Sequence, residues 1–307
     1  MRRTLDTVSA QTVPPALWVV IDDGSTDETP AILEEYARKL PYLRVVRRAD
    51  RGRRNVGPGV IEAFYAGLAT VDLDAFDYLC KLDLDLDLPP RYFEVLIARM
   101  EADPRLGTTS GKPYFVRARD GALVPEVCGD EMSVGMTKFY RTGCFREIGG
   151  FVREVMWDGI DCHRCRLLGW IAESVDADGL RFVHLRPMGS SQKGIWTGRV
   201  RSGYGQYFMG TGPLYLIASA GFRLLKHPVV YGSAAMLWGY FSSLARGRAR
   251  YDDPAFQAFL RRYQRECLRY GKRAATRRAN AAQAPVWQAA HVPSPHAEER
   301  LGSRRSA

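Results

Sequence analysis

The chain has 307 residues, 46% of them hydrophobic and 25% charged, with a formal charge of +10. That balance excludes a disordered or fibrous chain and allows one large or two smaller domains around a buried core. The basic excess clusters at 47–54, 246–250, 261–273 and 299–305, which suits nucleic acid, an anionic membrane surface or a phosphate-bearing substrate; no zinc-finger, RNA-binding or helix-turn-helix pattern selects nucleic acid.

Residues 1–9 read as a helix, with Leu5 and Val8 three apart. A parallel α/β domain ordinarily opens on a strand, so the sequence starts as though inside its first helix, and Met1 reads as an internal methionine of a longer protein. The apolar run 17–21 predicts a strand buried on both faces. It ends at Asp22-Asp23-Gly24-Ser25-Thr26-Asp27, and Thr29-Pro30 then opens a helix to about 40. A second strand at 43–46, a basic, Gly-rich loop at 52–59 and a helix at 60–69 follow. This alternation predicts βαβ units and a mostly parallel sheet.

Residues 76–82 read as a third strand, ending at Asp83-Leu84-Asp85-Leu86-Asp87-Leu88-Pro89-Pro90, with a helix from 90 to 100. Asp83 and Asp85 are two apart and share a side if the backbone stays extended. Two carboxylates on one side repel unless a cation lies between them, and Mg²⁺ or Mn²⁺ shared with a diphosphate fits. The plainer reading is an amphipathic strand with solvated aspartates.

Beyond 106 the pattern turns to short strands, one of them at 137–140, and a short helix at 144–148 closes on Gly149-Gly150-Phe151. A further helix begins at Trp157-Asp158-Gly159-Ile160-Asp161, with Asp158 or Asp161 near its N-terminus, and stops at Gly169. The strand 180–185 carries His184. A Gly-rich loop with Lys193, Arg199 and Arg201 follows, and then an apolar, aromatic stretch at 206–225. Residues 228–245 are interrupted by Gly232, Ser233, Gly239, Ser242 and Ser243, too polar for a membrane span. With Arg246 and Arg248 behind them they suit either an anionic membrane surface or a packed helix. Residues 272–307 read as a disordered basic tail. Six cysteines without a regular framework, and no signal peptide, predict reduced thiols in the cytoplasm. Cys162-His163-Arg164-Cys165 lacks the second ligand pair of a structural zinc site.

Taken together, four ordered pieces resemble the family 2 glycosyltransferases: the DDGSTD turn at 22–27, Leu82-Asp83-Leu84-Asp85 with Leu88-Pro89-Pro90, Gly149-Gly150-Phe151, and Trp157-Asp158-Gly159-Ile160-Asp161 with Gly169-Trp170. The resemblance implies a GT-A fold: a mostly parallel sheet flanked by helices, here without its first strand, with a C-terminal helical extension. It covers about 1–215 as an N-terminally truncated catalytic domain, leaving 216–271 as a helical, membrane-associated extension and 272–307 as the tail.

The implied activity is inverting, non-processive transfer of a sugar from a UDP- or GDP-linked donor to the hydroxyl of a glycan or lipid-linked acceptor. That is a metal-dependent hexosyltransferase of cell-envelope polysaccharide or glycolipid assembly, peripheral on the cytoplasmic face of the membrane. By the same resemblance Asp22, Asp23, Asn55, Asp83, Arg199 and Arg201 bind the nucleotide sugar. Asp85, Asp83 and His184 hold Mn²⁺ or Mg²⁺, and Asp158 is the base. Asp87 is a bystander. The QxxRW motif of processive synthases is absent. The competing reading is a non-catalytic or inactive truncated protein on the same fold.

Overall fold

Residues 1–9 form a helix because Leu5 and Val8 share the face that the core covers, 0% and 1% exposed. This helix, α1 (Arg2–Ser9), is the first element of the computed structural model, which describes residues 1–50, 52, 57–186, 194–223 and 231–292. The chain continues through β1 (Trp18–Asp22), α2 (Thr29–Lys39), β2 (Leu43–Arg47), α3 (Pro58–Leu68), β3 (Tyr78–Leu82), β4 (Leu86–Asp87), α4 (Tyr92–Ala102), β5 (Leu106–Ser110), β6 (Lys112–Val116), β7 (Leu123–Pro125) and β8 (Thr137–Arg141). It then runs through α5 (Thr142–Glu147), α6 (Trp157–Leu167), β9 (Ile171–Ser174), β10 (Arg181–His184), α7 (Ile195–Met209), α8 (Pro213–Arg223), α9 (Tyr231–Ala245), α10 (Pro254–Tyr270), α11 (Lys272–Ala282) and α12 (Ala284–His291).

The architecture is mixed α/β with helices on the sheets, and a helical region closes the chain. Parallel pairing is confined to β1–β2, β6–β10 and β5–β9. The pairs β3–β8, β5–β8, β4–β10 and β6–β7 are antiparallel, so the expected mostly parallel sheet is only partly realised. Its amino-terminal βαβ unit, β1–α2–β2, follows the expectation, because α2 supplies the crossover a parallel pair requires. Much of the rest does not, because β5, β6, β7 and β8 follow one another with no helix between them and pair antiparallel as β6–β7 and β5–β8.

The sheet is divided. β1 pairs with β2, and β3 sits at one end of the order β3–β8–β5–β9. Trp18 donates its N–H to Tyr42 O, and Asp22 O accepts from Arg48 N–H. Residues 18, 20 and 22 therefore address β2, which turns the backbone groups of Val19 and Ile21 the other way. Likewise Asp77 O accepts from Thr142 N–H and Asp83 N–H donates to Met136 O, leaving Tyr78, Cys80 and Leu82 to face away from β8. Among the described residues no strand pairs with either edge.

The main core joins Leu86, Tyr92, Leu96, Phe139 and Phe182. A second, around α5 and α6, joins Tyr140, Phe145, Phe151 and Trp157. Tyr65 brackets the GGF turn, accepting from Phe151 N–H at 2.7 Å and donating to Phe151 O at 2.9 Å.

α7 and α9 cross closely: a methyl on Gly203 or Gly239 would fall 2.0 Å from the other helix's carbonyl oxygen. One face of α9 is thus packed while Trp238 and Leu244 stay exposed. No helix of the described residues is long and apolar enough to cross a membrane. Residues 272–291, expected as disordered tail, instead form α11 and α12. Trp287, 8% exposed, lies edge-on to Trp170, and His291 Nε2 is 2.8 Å from Glu147. Trp287 on α12 and the buried Ala275 on α11, packed on Tyr263, anchor the segment. Residues 293–307 lie outside the described residues.

Candidate active site

The expected site residues gather where β1 and β3 end. One cavity of about 1840 Å³ is lined by Asp23, Asp83, Asp85, His184 and Asp158, together with Gly57 and Gly59. Asp22 is 2% exposed and turned into its own loop, where its Oδ1 accepts from Ser25 N–H at 2.9 Å and its Oδ2 lies 3.4 Å from Arg47 Nε. It shapes the turn, as an aspartate in an Asx-type turn does. Asp23, one residue on, projects to the cavity and accepts from Arg48 Nη1 at 3.0 Å.

The Asp-Leu-Asp-Leu-Asp run is not one extended strand. The chain bends at 84–85 between β3 and β4, so Asp83 and Asp85 do not simply share a strand face. Asp83 Oδ1 lies 2.5 Å from Lys81 Nζ, which also donates to Gly135 O at 2.8 Å. Asp85 turns toward the end of β10. Its Oδ2 accepts from Arg186 Nη2 at 2.7 Å and Nε at 3.0 Å, and His184 Nε2 stands 3.8 Å from the same oxygen. Its Oδ1 is buried with no hydrogen-bond partner. Burial alone would raise this carboxyl. Hydrogen bonds from His184 and Arg186 outweigh burial and bring it down to about 2. Asp87 points outward to Arg3, at 2.7 Å.

His184 lies between two carboxylates, because its Nδ1 is 3.1 Å from Glu126 Oε2. Burial opposes the charged ring, but Asp85 and Glu126 prevail and lift it to about 9. Glu126 and Arg186 escaped the sequence reading. Glu126 sits in a stretch of short strands with no motif, and Arg186 is one arginine among many. Their one signal was nearness to strand ends, which the pairing of β7 with β6 and of β6 with β10 brings together.

The residues fit a hard divalent cation. Asp85 offers a buried carboxylate oxygen with no other partner, and His184, held charged beside it, joins a cation there only by giving up a ring proton. Among the described residues no three His, Cys, Asp or Glu side chains form a ready-made cage.

Asp158 stands in the first turn of α6, beside the cavity. Burial raises its carboxyl above the usual range, and Lys138 pulls it back in part. Gly135 leaves it room: a methyl there would lie 3.1 Å from Asp158 Oδ2. Asp161, three residues on, is 1% exposed and paired to Lys138 Nζ at 2.6 Å, with Tyr140 donating to the same oxygen. The geometry separates the two carboxylates at the start of α6, one facing the cavity and one in the core. Arg199 and Arg201 lie on α7 and do not line the cavity. Arg201 is half-buried, which lowers its guanidinium, while the charge of Asp158 opposes that. Asn55 and Lys193 lie outside the described residues.

Residues 1–120 match the family model described as glycosyl transferase family 2, the family that the motifs resemble. Three solved structures are similar to the chain. One is the mannosyltransferase PcManGT from Pyrobaculum calidifontis in complex with GDP-Man and Mn²⁺, at 19% identity and TM-score 0.48, covering 100% of this chain and 76% of that one. A second is GalNAc-T7 with UDP, GalNAc and Mn²⁺, at 14% and 0.48, covering 83% and 52%. The third is S. aureus TarS 1-349, at 18% and 0.47, covering 94% and 87%. No curated protein matches the chain.

Proposed function

We propose that the chain is a metal-dependent, inverting, non-processive glycosyltransferase of the hexosyl class, using a UDP- or GDP-linked donor and a hydroxyl acceptor. One observation carries the reading: Asp23, Asp83, Asp85, His184 and Asp158, from four separate stretches of chain, line one cavity within a protein whose first 120 residues match the family. Asp23 accepts hydrogen bonds from the nucleobase, and Asp22 holds the turn that aims it. Asp85 and His184, with Asp83 adjoining, hold Mg²⁺ or Mn²⁺ against the donor diphosphate. Bound there, the cation supplies Lewis-acid stabilisation of the departing phosphate. Asp158 takes the proton of the attacking hydroxyl, a task suited to a carboxylate whose burial has raised its basicity. Arg199 and Arg201 of α7, the second within reach of the charge of Asp158, serve the donor diphosphate.

The acceptor is a glycan or lipid-linked chain at a membrane surface, in cell-envelope assembly. Supporting this, Leu214, Ile217, Trp238 and Leu244 are exposed on α8 and α9, with Arg246 and Arg248 just beyond. The open edges of β1 and β3 favour a second reading, a protein on this fold that binds the donor but does not turn it over.

Sugar transfer or donor hydrolysis, screened across UDP- and GDP-sugars with Mn²⁺, tests the first reading. Asp158→Asn is expected to keep donor binding and lose transfer. Undiminished transfer by that variant would remove the base assignment.

A further inference from the structure

Two buried lysines stand opposite one another where β3 reaches the cavity. β3 and β8 pair antiparallel with Lys81 directly across from Lys138, so both side chains leave the same face of the sheet. Lys81 is 5% exposed and Lys138 0%. Like charges set opposite one another on a sheet repel, and a buried ammonium is costly unless it is paired. Each lysine has its own carboxylate. Lys81 Nζ lies 2.5 Å from Asp83 Oδ1, and Lys138 Nζ lies 2.6 Å from Asp161 Oδ2. Both ammoniums also lie over the ring of Trp157, at 5.2 Å and 5.7 Å from its centroid. From there both reach toward Asp158. Lys138 donates to Asp158 O at 3.0 Å, and Lys81 donates to Gly135 O at 2.8 Å. Gly135 is the residue whose added methyl would lie 3.1 Å from Asp158 Oδ2. Asp83 and Asp161 are each bound to one lysine. Asp158 has no ion pair of its own among the described residues.

We infer that Lys81 is a positioning residue for the base: across the strand pair from Lys138, it supplies a second fixed positive charge that keeps the Asp158 carboxylate ionised and ready to take a proton. The inference rests on the assignment of Asp158 as the base. A protonated carboxyl cannot accept the proton of an attacking hydroxyl, so a base set in a desolvated site needs fixed cations beside it. The charged groups around Asp158 come from four elements. Burial disfavours its anion most; Lys138 of β8 opposes burial, Asp161 of its own helix adds to it, and Lys81 of β3 opposes it. Arg201 of α7 stands within reach of the same charge. Asp83, bound to Lys81, tempers that lysine without cancelling it, since the two charges sit at different points. The bond to Gly135 O and the Trp157 ring hold Lys81 Nζ in place, so its field is already set when the proton moves.

The full chain, labelled with ¹³C at the aspartate carboxyls, is titrated in EDTA as wild type, Lys81→Met and Lys81→Arg. The Asp158 signal is the one that Asp158→Asn removes. Each variant is melted first, and Lys81→Gln takes the place of Lys81→Met should that variant not fold cooperatively. Lys81→Met is expected to raise the ratio of protonated to ionised Asp158 at a given pH about threefold or more. Lys81→Arg keeps the charge and is expected to restore the wild-type ratio. An unchanged ratio in Lys81→Met overturns the proposal, whatever happens to Tm, and so does an equal rise in Lys81→Arg. The titration needs no sugar transfer, so it decides the role of Lys81 even if the wild type transfers nothing, a result that would remove the transferase reading alone. Where transfer is seen, kcat of Lys81→Met is expected to fall more at acid than at alkaline pH, and an equal fall at both also overturns the proposal.

Discussion

Lys138 Nζ lies 2.6 Å from Asp161 Oδ2, both side chains fully buried, and the same ammonium donates to the backbone oxygen of Asp158 at 3.0 Å. The pair pins the first turn of α6, the turn that presents Asp158 to the cavity. Removing one partner strands a buried charge, which costs about 3–5 kcal/mol. Asp161→Ala is therefore expected to lower the stability measured by urea unfolding by that amount. A loss under 1 kcal/mol would mean that Asp161 does not anchor α6.

Asp158 behaves oppositely. Its folded carboxyl is raised above the unfolded value, so folding favours the protonated form. The benefit is fully present below the unfolded pKa of about 3.9 and is lost as pH rises through the folded value. At neutral pH the ionised carboxylate weakens the fold. Asp158→Asn should raise Tm at pH 7.5 and raise it less near pH 4. A lower Tm at pH 7.5 would contradict the account of burial.

Gly135→Ala tests the fit around the same carboxylate. The new methyl would lie 3.1 Å from Oδ2 and 3.4 Å from Cβ of Asp158, tight enough to displace the carboxylate by a few tenths of an ångström. Such misplacement of a reacting group lowers rate steeply. The expected result is a fall of tenfold or more in kcat with Tm nearly unchanged. Wild-type kcat would show that Asp158 needs no such precision.

The exposed apolar stripe of α8 and α9 predicts salt-sensitive binding to phosphatidylcholine vesicles containing phosphatidylglycerol. Leu214→Glu combined with Trp238→Glu should weaken cosedimentation about tenfold, roughly 1.4 kcal/mol. High salt should weaken the wild type too, since screened arginines attract less. Equal sedimentation of the double variant would remove the membrane from the account.

Much of this was legible in the sequence where period and punctuation agree. The Leu5/Val8 face, the apolar run into Asp22 and the Pro-opened helices fall close to where the pattern places them. Three of the four motifs supply the aspartates that line the cavity. What escaped depends on long-range packing. Nothing local says that the chain bends between Asp83 and Asp85, that Glu126 meets His184 across paired strands, or that Trp287 docks on Trp170 and orders α12. The family motif singled out Asp158 as the base, but nothing local says that Lys138 and Tyr140 hold Asp161 in the core.

The central claim is that Asp85, with His184 and Asp83, holds a cation that carries the donor diphosphate. Calorimetric titration of UDP and of GDP into the protein, with and without Mn²⁺, tests it most directly. Binding of one nucleotide that requires Mn²⁺ and falls more than tenfold in Asp85→Ala is the predicted result. Binding of equal strength without the metal, or undiminished in Asp85→Ala, would contradict it.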